Sequence, residues 1–520
     1  MLVNTAKLFL VTLKVKDMKI ITVILFIIFT IPAIAQEHTH QHGADTSKPV
    51  LKRNMADTVK KSMKTDSMPQ QKMLPPAHQH DDMDMHQDHM HNDMDMHEGH
   101  MHGHDHGSMM MMMSHAFSRN LPMTRNGSGT AWLPDNAPMY GYMFHGGKWM
   151  YMLHGDVFLR YNKQDLLDKG SRGNAKFDAP NMIMLMGQRN IGEKGLFHFN
   201  TMISFDPFTV GGNGYPLLFQ TGESYKGVPL VDRQHPHDLF SELSVSYAYA
   251  LSETADLFLY LGYPGEPALG PVAYVHRPSG FFNPDAPLTH HWVDATHITF
   301  GVATAGFRLG KVKLEASSFN GREPDEHRYG LDKIRFNSWS GRLSYNPSGQ
   351  WALQTSHGFI KEPEVLHPGE DVNRTTASVT YSSRGFGKTF TNITALWGMN
   401  KTKSHSAENG LLLEGSHTMR KTTLYGRYEW VQKSLEELNL DEADFGHDAL
   451  FPVHAFTAGA QQEIFGIGKT RVALGGQFSF YDPGTRLSGL YGDNPLAGEV
   501  FLRIYPGVMG SKMGKLFLPY

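Results

Sequence analysis

The sequence of 520 residues contains no cysteine. Disulfide bonds and thiolate metal sites are therefore excluded, as is the lipidated cysteine that anchors a bacterial lipoprotein. An excess of charge of one sign is also missing, because 48 basic and 51 acidic side chains leave a net charge of −3. A chain with this balance is not expected to have a nucleic-acid partner.

Long apolar runs are scarce as well. The most apolar segment covers residues 20–31, follows four lysines, and is followed by the small-residue sequence Ala33-Ile34-Ala35. This run is too short for a spanning helix, which needs ~20 apolar residues. A basic region, a short apolar run and small residues in this order predict a cleavable signal peptide over residues 1–35. We therefore expect the chain to be exported.

The sequence also lacks the motifs of hydrolytic enzymes, since it has neither a nucleophile elbow nor a helical His-Glu-x-x-His. The turn sequences at 211–214 and 264–267 lack the Lys and Ser/Thr of a phosphate-binding loop. Serine and histidine from distant strands could still meet in a folded protein. An enzyme is nevertheless the class that the sequence favours least, and we expect none.

Metal-ligand side chains are abundant between residues 78 and 115. This run has eleven of the 30 histidines and eleven of the 30 methionines, and Asp-Met-Asp-Met-His occurs at Asp82–His86 and at Asp93–His97. Interleaved methionine and polar residues cannot form a core, which predicts a disordered arm. Thioether sulfur suits Cu(I), whereas imidazole suits Cu(II), zinc and nickel. The run therefore predicts copper binding, with zinc or nickel possible. The other interpretation is a low-complexity tail with incidental affinity.

The candidate ligands of this arm are its histidines and the methionines among them. They are His78, His80, Met83, Met85, His86, His89, Met90, His91, Met94, Met96, His97, His100, Met101, His102, His104, His106 and His115. Polar residues 36–77 predict a disordered spacer before the arm, and residues 116–140, which contain Pro, Gly and Asn, predict a linker after it.

From residue 141 to residue 520 the pattern is that of an all-β domain. Segments of about ten residues alternate apolar with polar or small side chains and are separated by turn sequences. Sixteen such segments are predicted, at residues 149–160, 181–190, 195–206, 238–250, 255–263, 295–309, 311–320, 335–345, 350–360, 373–382, 388–398, 408–418, 421–431, 454–464, 469–480 and 497–506. Strands of ~9–11 residues are long enough to cross a bilayer when tilted.

The face opposite the apolar one is charged in the middle of several segments. Lys313 and Glu315 alternate with Val312, Leu314 and Ala316, for example. A barrel in the outer membrane of a Gram-negative bacterium places its apolar face toward lipid and its polar face toward the lumen. Together with the strand lengths and the alternation of tight turns with long loops, this predicts a transmembrane antiparallel β-barrel of about 16 strands.

Four segments at the junctions of strands and long loops are rich in ionisable side chains. Their residues are Asp232, Arg233, His235, His237, Asp238, His276, Arg277, His290, His291, Asp294, His297, Arg322, Glu323, Asp325, Glu326, His327 and Arg328. Histidines beside aspartates are consistent with a transient copper or zinc site. Arginines beside carboxylates are the usual components of a hydrogen-bonded network that holds long loops inside a lumen, and this second interpretation is favoured.

Methionines follow one another at strand spacing in the first part of the barrel. Met182, Met184 and Met186 share one face of a strand, and Met139, Met143, Met150 and Met152 precede them. Methionines at this spacing are usually lipid-facing or core residues. The alternative is a row of thioethers that passes Cu(I) from the arm into the barrel.

The arm at residues 81–115, with its repeated Met-Asp-Met-His, and the order of signal peptide, arm and barrel resemble the copper-resistance B-type outer-membrane proteins of Gram-negative bacteria. The resemblance implies copper sequestration or export without enzymatic turnover. The partners would be outer-membrane lipid, metal ions and a periplasmic copper carrier or efflux system. Two alternatives remain open, namely a general porin or solute channel with a peripheral arm, and a soluble periplasmic β protein that stores metal.

Overall fold

The computed structural model describes residues 113–509. The predicted signal peptide (1–35), the predicted spacer (36–77) and the predicted arm ligands from His78 to His106 lie outside the described residues. His115 lies within them.

Sixteen antiparallel strands, labelled β1 to β16 here, form one closed barrel. In chain order they are Trp149–Lys163, Asn181–Ile191, Gly195–Ile203, Phe240–Ala250, Ala255–Gly262, Val302–Leu309, Val312–Phe319, Ser338–Ser348, Trp351–Ile360, Val372–Arg384, Thr389–Lys401, Glu408–Met419, Thr422–Ser434, Leu450–Ile467, Thr470–Asp482 and Leu496–Pro506. Each strand pairs with its neighbour in sequence, and β16 closes the ring by pairing with β1 from Gly498↔Lys163 to Ile504↔Val157. The predicted fold class and the predicted number of strands are confirmed.

One predicted strand begins too early. The sequence predicts a strand over 295–309, but β6 starts only at Val302. Ala295–His297 instead form a 3-10 turn, in which the His297 backbone N–H donates to the Asp294 carbonyl at 3.2 Å. The His297 ring reinforces this turn, because its Nδ1 lies 2.8 Å from the same carbonyl oxygen.

The remaining elements are short. Tyr142–Gly146 and Ala175–Asp178 pair with the first and last residues of β1, while Ser114–His115 with Ser118–Pro122, and Tyr215–Tyr225 with Val228–Gln234, form two hairpins. Single-turn α-helices cover Asp206–Thr209, His290–Val293, Leu435–Leu438, Glu442–Phe445 and Ser488–Tyr491, and further 3-10 turns cover Met123–Arg125, Tyr274–His276 and Thr485–Leu487. None of the helices within residues 113–509 has the length and apolar character that crossing a membrane requires.

The outer face of the barrel wall is apolar and its inner face is polar. On β7, Leu314 is 60% exposed whereas Lys313 is 1% exposed. On β15, Phe478 is 70% exposed whereas Gln477 is 2% exposed. An apolar outer face around a polar interior is the arrangement of an outer-membrane barrel. The protein is therefore an outer-membrane β-barrel, and a soluble β protein does not fit this distribution.

The connections divide the barrel into two unlike rims. Turns of two to four residues join β2 to β3, β4 to β5, β6 to β7, β8 to β9, β10 to β11, β12 to β13 and β14 to β15. In the two-residue turn between β6 and β7, Gly310 has φ +57°, which only glycine adopts without strain. All other connections between consecutive strands are longer and lie at the opposite end. We call the two ends the short-turn rim and the long-loop rim.

The connection between β5 and β6, residues 263–301, folds into the lumen and is called the luminal loop here. Nearly all of its side chains are buried, and its helix His290–Val293 packs against the inner faces of β10, β11 and β12. Glycines in the wall make room for it. A Cβ atom at Gly398 would lie 2.4 Å from the Trp292 carbonyl oxygen, so a larger residue there would displace the helix.

Buried ion pairs fix the luminal loop to the wall. Arg277 of the loop donates to Asp294 of the loop and to Glu414 of β12, both at 2.8 Å. On the other side of the lumen, Arg160 of β1 donates to Asp285 of the loop at 2.7 Å. All of these side chains are buried, so an arginine–carboxylate network holds the loop at two points.

We expect the replacement Arg277→Met to lower the free energy of unfolding by about 3–5 kcal/mol, because removing one partner leaves the carboxylates of Asp294 and Glu414 buried without their countercharge. The measurement is the urea concentration at which the detergent-folded protein loses its heat-modifiable gel band. Arg335→Met, at an exposed loop residue, is the matched control and should change stability by less than about 0.5 kcal/mol. Equal midpoints for the two variants would contradict an anchoring role.

The segment that precedes the barrel also lies against the inner wall. Arg342 of β8 donates to the Thr130 hydroxyl at 2.7 Å, and Asn346 of the same strand donates to the Leu133 carbonyl at 2.9 Å. Arg125 and Asp135 pair within the segment at 2.6 Å. Residues 116–140, predicted to be a linker, thus form an ordered part of the luminal filling.

Candidate metal centres in the lumen

Two of the four ionisable segments of the sequence contribute histidines to one place in the lumen. His235 and His237 come from the end of the Val228–Gln234 strand and the residues after it, and His290, His291 and His297 come from the luminal loop. We call these five residues the histidine cluster. Ring centroids are 5.1 Å apart for His290 and His291, 5.0 Å for His290 and His297, 5.8 Å for His235 and His291, and 5.5 Å for His237 and His297.

Acidic side chains orient several of these rings through Nδ1. The Nδ1 atom of His290 lies 2.6 Å from Asp294, that of His235 lies 3.1 Å from Glu223, and that of His237 lies 2.9 Å from Asp206. Such contacts fix the tautomer and direct Nε2 away from the carboxylate, as the outer partners of metal-binding histidines do.

The charge states also favour ligation. Burial lowers the pKa of His235, His290, His291 and His297 below the usual value, so these imidazoles are neutral near pH 7. Burial alone would raise the pKa of Asp294, but Arg277 and then His290 bring it down to about 2. The cluster thus offers neutral imidazoles beside a fixed carboxylate.

An acidic cavity of about 130 Å³ connects the long-loop rim with the histidine cluster. Six of the carboxylates that line it are Glu223, Glu323, Glu364, Glu370, Glu436 and Glu437, and His291 lies at its buried end. Burial, together with the charges of Glu364 and Glu223, raises the pKa of Glu323 to about 8. Nearer the rim, ligand atoms of His367, Glu370 and Glu436 lie within 4.8 Å of one another. We call this cavity the acidic vestibule. Its carboxylates produce a negative field that attracts cations.

Several predicted residues have other roles. Asp232 accepts from the Phe219 backbone and the Tyr491 hydroxyl, and Arg233 donates to the Asn213 carbonyl at 2.5 Å. Arg328 bonds to Glu223 and, at 3.3 Å, to Asp238.

The fourth ionisable segment, residues 320–328, otherwise lies apart from the histidine cluster. Arg322 pairs with Glu362 at 3.6 Å, and Asp325 accepts from the backbone of the exposed His327 at 2.7 Å. Glu326 accepts from the backbone of Lys226. From this segment, Glu323 approaches the cluster, with its Oε1 4.0 Å from Nδ1 of His291.

Eight buried methionines form a second centre, which we call the methionine cluster. They are Met113, Met123, Met150, Met152, Met182, Met184, Met186 and Met202, with Met139, Met143 and Met509 packed against them. On β2 the alternation is clear, because Met182, Met184 and Met186 are buried while Ile183 between them is exposed. These methionines face the lumen, so of the two positions expected for methionines at this spacing, β2 shows the buried core position and not the lipid-facing one.

Histidines link the two centres. Nε2 of His154 on β1 lies 2.9 Å from the sulfur of Met184, and the His154 ring lies 5.4 Å from that of His276 in the luminal loop. A cavity of about 60 Å³ has both His237 and Met182 in its lining. Nitrogen and sulfur ligands therefore follow one another from the histidine cluster toward the short-turn rim.

Some of these residues are not among those predicted from the sequence. His154 follows Met150 and Met152 at strand spacing, and this alternation was the available signal. Met202, Asp206 and Glu223 carried no comparable local signal, since pairing and loop packing bring them to the site.

No protein-family model and no curated protein matches the chain. The resemblance to copper-resistance B-type proteins therefore stays a prediction.

Solved outer-membrane barrels are similar at low identity. OmpF of Salmonella typhi, in a complex with daunomycin, is 9% identical, covers 70% of this chain and 100% of its own, and has a TM-score of 0.45. An anion-selective porin from Comamonas acidovorans is 13% identical over 69% of this chain and 99% of its own, with a TM-score of 0.42. The sixteen-strand assignment rests on the strand pairing of this protein and not on these likenesses.

Proposed function

We propose that the protein is an outer-membrane copper-tolerance protein whose lumen binds Cu(I) at the methionine cluster and whose arm, residues 78–115, captures copper. The observation that supports this proposal is the inward orientation of the methionines on β1, β2 and β3. The lumen of an outer-membrane barrel is ordinarily polar, so a group of eight thioethers there calls for a chemical reason.

Packing alone gives a weaker reason. Leucine and isoleucine fill an interior with better-defined rotamers, whereas methionine is flexible and specifies a core poorly. The methionines also adjoin an imidazole, since Nε2 of His154 lies 2.9 Å from the sulfur of Met184. Thioether sulfur with imidazole is a donor set that suits Cu(I).

The arm leads directly into this cluster. Its last residues include five consecutive methionines, 109–113, and Met113 is buried among the luminal methionines. Ligands on the arm are thus joined in sequence to ligands in the lumen, which raises their effective concentration for each other. Zinc or nickel remains the alternative metal for the histidines of the arm.

We place one end of the methionine cluster toward the periplasm. Met150 lies near the start of β1, at the short-turn rim, and the cluster extends from there to Met182 and Met202, near the long-loop ends of β2 and β3. Outer-membrane barrels have short turns at the periplasmic side and long loops outside. A periplasmic copper carrier or efflux system is accordingly the partner that this position suits.

The test compares the full chain with a full-length variant in which every Met and His between residues 78 and 106 is Ser. We expect the variant to lose part of its Cu(I), in anaerobic competition with a chromophoric chelator, and to retain the luminal portion. We also expect a copper-sensitive host to grow less well with the variant than with the unchanged protein. Absence of chelator-resistant Cu(I) from both proteins would refute the copper function.

A general porin with a peripheral arm is the second candidate, and the closed sixteen-strand barrel favours it, since barrels of 16–18 strands include the porins. This candidate predicts uptake of small solutes into proteoliposomes that the arm variant does not change. Solute flux with unchanged copper tolerance would favour the porin over the copper protein.

A further inference from the structure

We propose that His235, His290 and His291 form a metal site of their own, for a divalent cation of borderline softness such as Zn²⁺ or Cu²⁺. This site differs from the methionine cluster in place and in chemistry, because its donors are imidazole nitrogens. It does not depend on the copper function, and a negative Cu(I) result would leave it intact.

The first argument is distance. One ring nitrogen from each of the three buried histidines lies within 4.8 Å of the others. Around a tetrahedral ion with Zn–N bonds of about 2.0–2.1 Å, neighbouring nitrogens are ~3.3 Å apart. Small rotations of the three rings therefore bring them to bonding distance. The three histidines need no rearrangement of the strands.

The second argument is the support behind the rings. Asp294 holds His290 through Nδ1 and is itself held by Arg277 at 2.8 Å. Glu223 holds His235 at 3.1 Å and is itself paired with Arg328. A ligand histidine backed by a carboxylate that is also hydrogen-bonded is the usual construction of a metal site.

The third argument is the lack of hydrogen-bond partners for two buried ring nitrogens. The Nε2 atoms of His291 and of the adjacent His297 are buried and have no hydrogen-bond partner among residues 113–509. Leaving a buried polar atom unpaired is costly, and a metal ion would satisfy it. His297 is accordingly the candidate for the fourth ligand.

The fourth argument is access. His291 lines the buried end of the acidic vestibule, whose carboxylates reach the long-loop rim. The outer group of His367, Glu370 and Glu436 offers a first, exposed place for a cation. A cation that enters there would travel along carboxylates to neutral imidazoles. The field of these carboxylates raises its local concentration.

Binding would also join two luminal elements. His235 follows the Val228–Gln234 strand of a hairpin, whereas His290 and His291 belong to the luminal loop. A shared metal ion would tie the hairpin to the loop. The site would thus fix the filling of the lumen beneath the vestibule.

The test uses the full chain in detergent and the variant His291→Gln. Among the cluster histidines His291 suits this purpose, because its nearest carboxylate is 4.0 Å away and the variant removes no strong hydrogen bond. After loading with Zn²⁺ and dialysis against a moderate chelator, we expect wild type to retain about one more zinc per chain than the variant. Loading with Co²⁺ should give the intense visible absorption of a tetrahedral site in wild type alone.

His357→Gln, at an exposed histidine of β9, is the matched control and should behave as wild type. Heat-modifiable gel migration confirms that each variant is folded, and His235→Gln provides an independent second variant with the same expected loss. Equal zinc retention and equal Co²⁺ spectra in wild type and both cluster variants would overturn the proposal. The proposal would likewise be overturned if dialysis lowered the zinc content of the wild-type protein to that of the two cluster variants.

Discussion

Removal of most of the luminal loop is expected to turn the barrel into an open channel. Gly262 and Val302, which flank the loop, are paired neighbours on β5 and β6, and Gly265 and Thr299 exchange two backbone hydrogen bonds of 2.9 Å at its neck. A short Gly/Ser linker can therefore replace residues 266–298 without displacing either strand.

The expected effect is large because the loop fills the space that a barrel of this size otherwise leaves for water. Barrels of 16–18 strands enclose an aqueous channel, whereas Trp292 and Phe282 of this loop are among the most buried side chains within residues 113–509. In planar lipid bilayers, the ion conductance of the shortened variant should be at least about tenfold higher than that of wild type.

A matched control replaces a segment of a different loop on the same rim. Glu442–Phe445 has no buried residues, so its replacement by Gly/Ser should leave the conductance at the wild-type level. A wild-type protein that already conducts as well as the shortened variant would show that the luminal loop does not obstruct the lumen. That outcome would also strengthen the porin alternative.

The second large effect is expected for the methionine cluster. The triple variant Met152→Leu, Met184→Leu and Met186→Leu removes three inward sulfurs while retaining similar side-chain volume, an exchange that usually costs less than about 1.5 kcal/mol per site. The fold should therefore persist. Loss of an outer partner of a metal ligand already costs about 10–100-fold in affinity, so we expect the loss of three sulfurs to weaken luminal Cu(I) binding at least as much.

The measurement is anaerobic competition for Cu(I) with a chromophoric chelator, in the background where the Met and His of residues 78–106 are Ser. Met419→Leu, at an exposed methionine of β12, is the same exchange outside the cluster and should leave the affinity unchanged. Equal Cu(I) affinity in the triple variant and this control would show that the luminal methionines serve packing only. Zinc retention at the histidine cluster should be unaffected in both variants.

The strands could be predicted because their signal is local. Alternation such as that of Val312, Lys313, Leu314 and Glu315 repeats in nearly every strand, and the charged face can be buried only in a lumen. The start of β6 was predicted too early because residues 295–301 carry no signal that separates a strand from an extended loop. In the structure, backbone and ring contacts of His297 with Asp294 decide this point.

The candidate site could be predicted only in part. The histidines of 235–237 and 290–297 were recognisable as ligand types, but their meeting depends on how two long loops fold into the lumen. Glu223 and Asp206 hold two of the rings from elsewhere in the connection between β3 and β4. The strand spacing of the methionines was evident from the sequence. Whether they point toward lipid or toward the lumen was not, since methionine is compatible with both surroundings.

The contacts of residues 113–140 with the inner wall imply an order of assembly. Thr130 accepts from Arg342, which follows it by 212 residues, so this contact cannot form until half of the strands have been added. Contacts between such distant residues form slowly. The segment that precedes the barrel in the sequence can therefore dock on the inner wall only after at least half of that wall has been made. During insertion into the membrane, the lumen must stay accessible until residues 113–140 have docked on the inner wall.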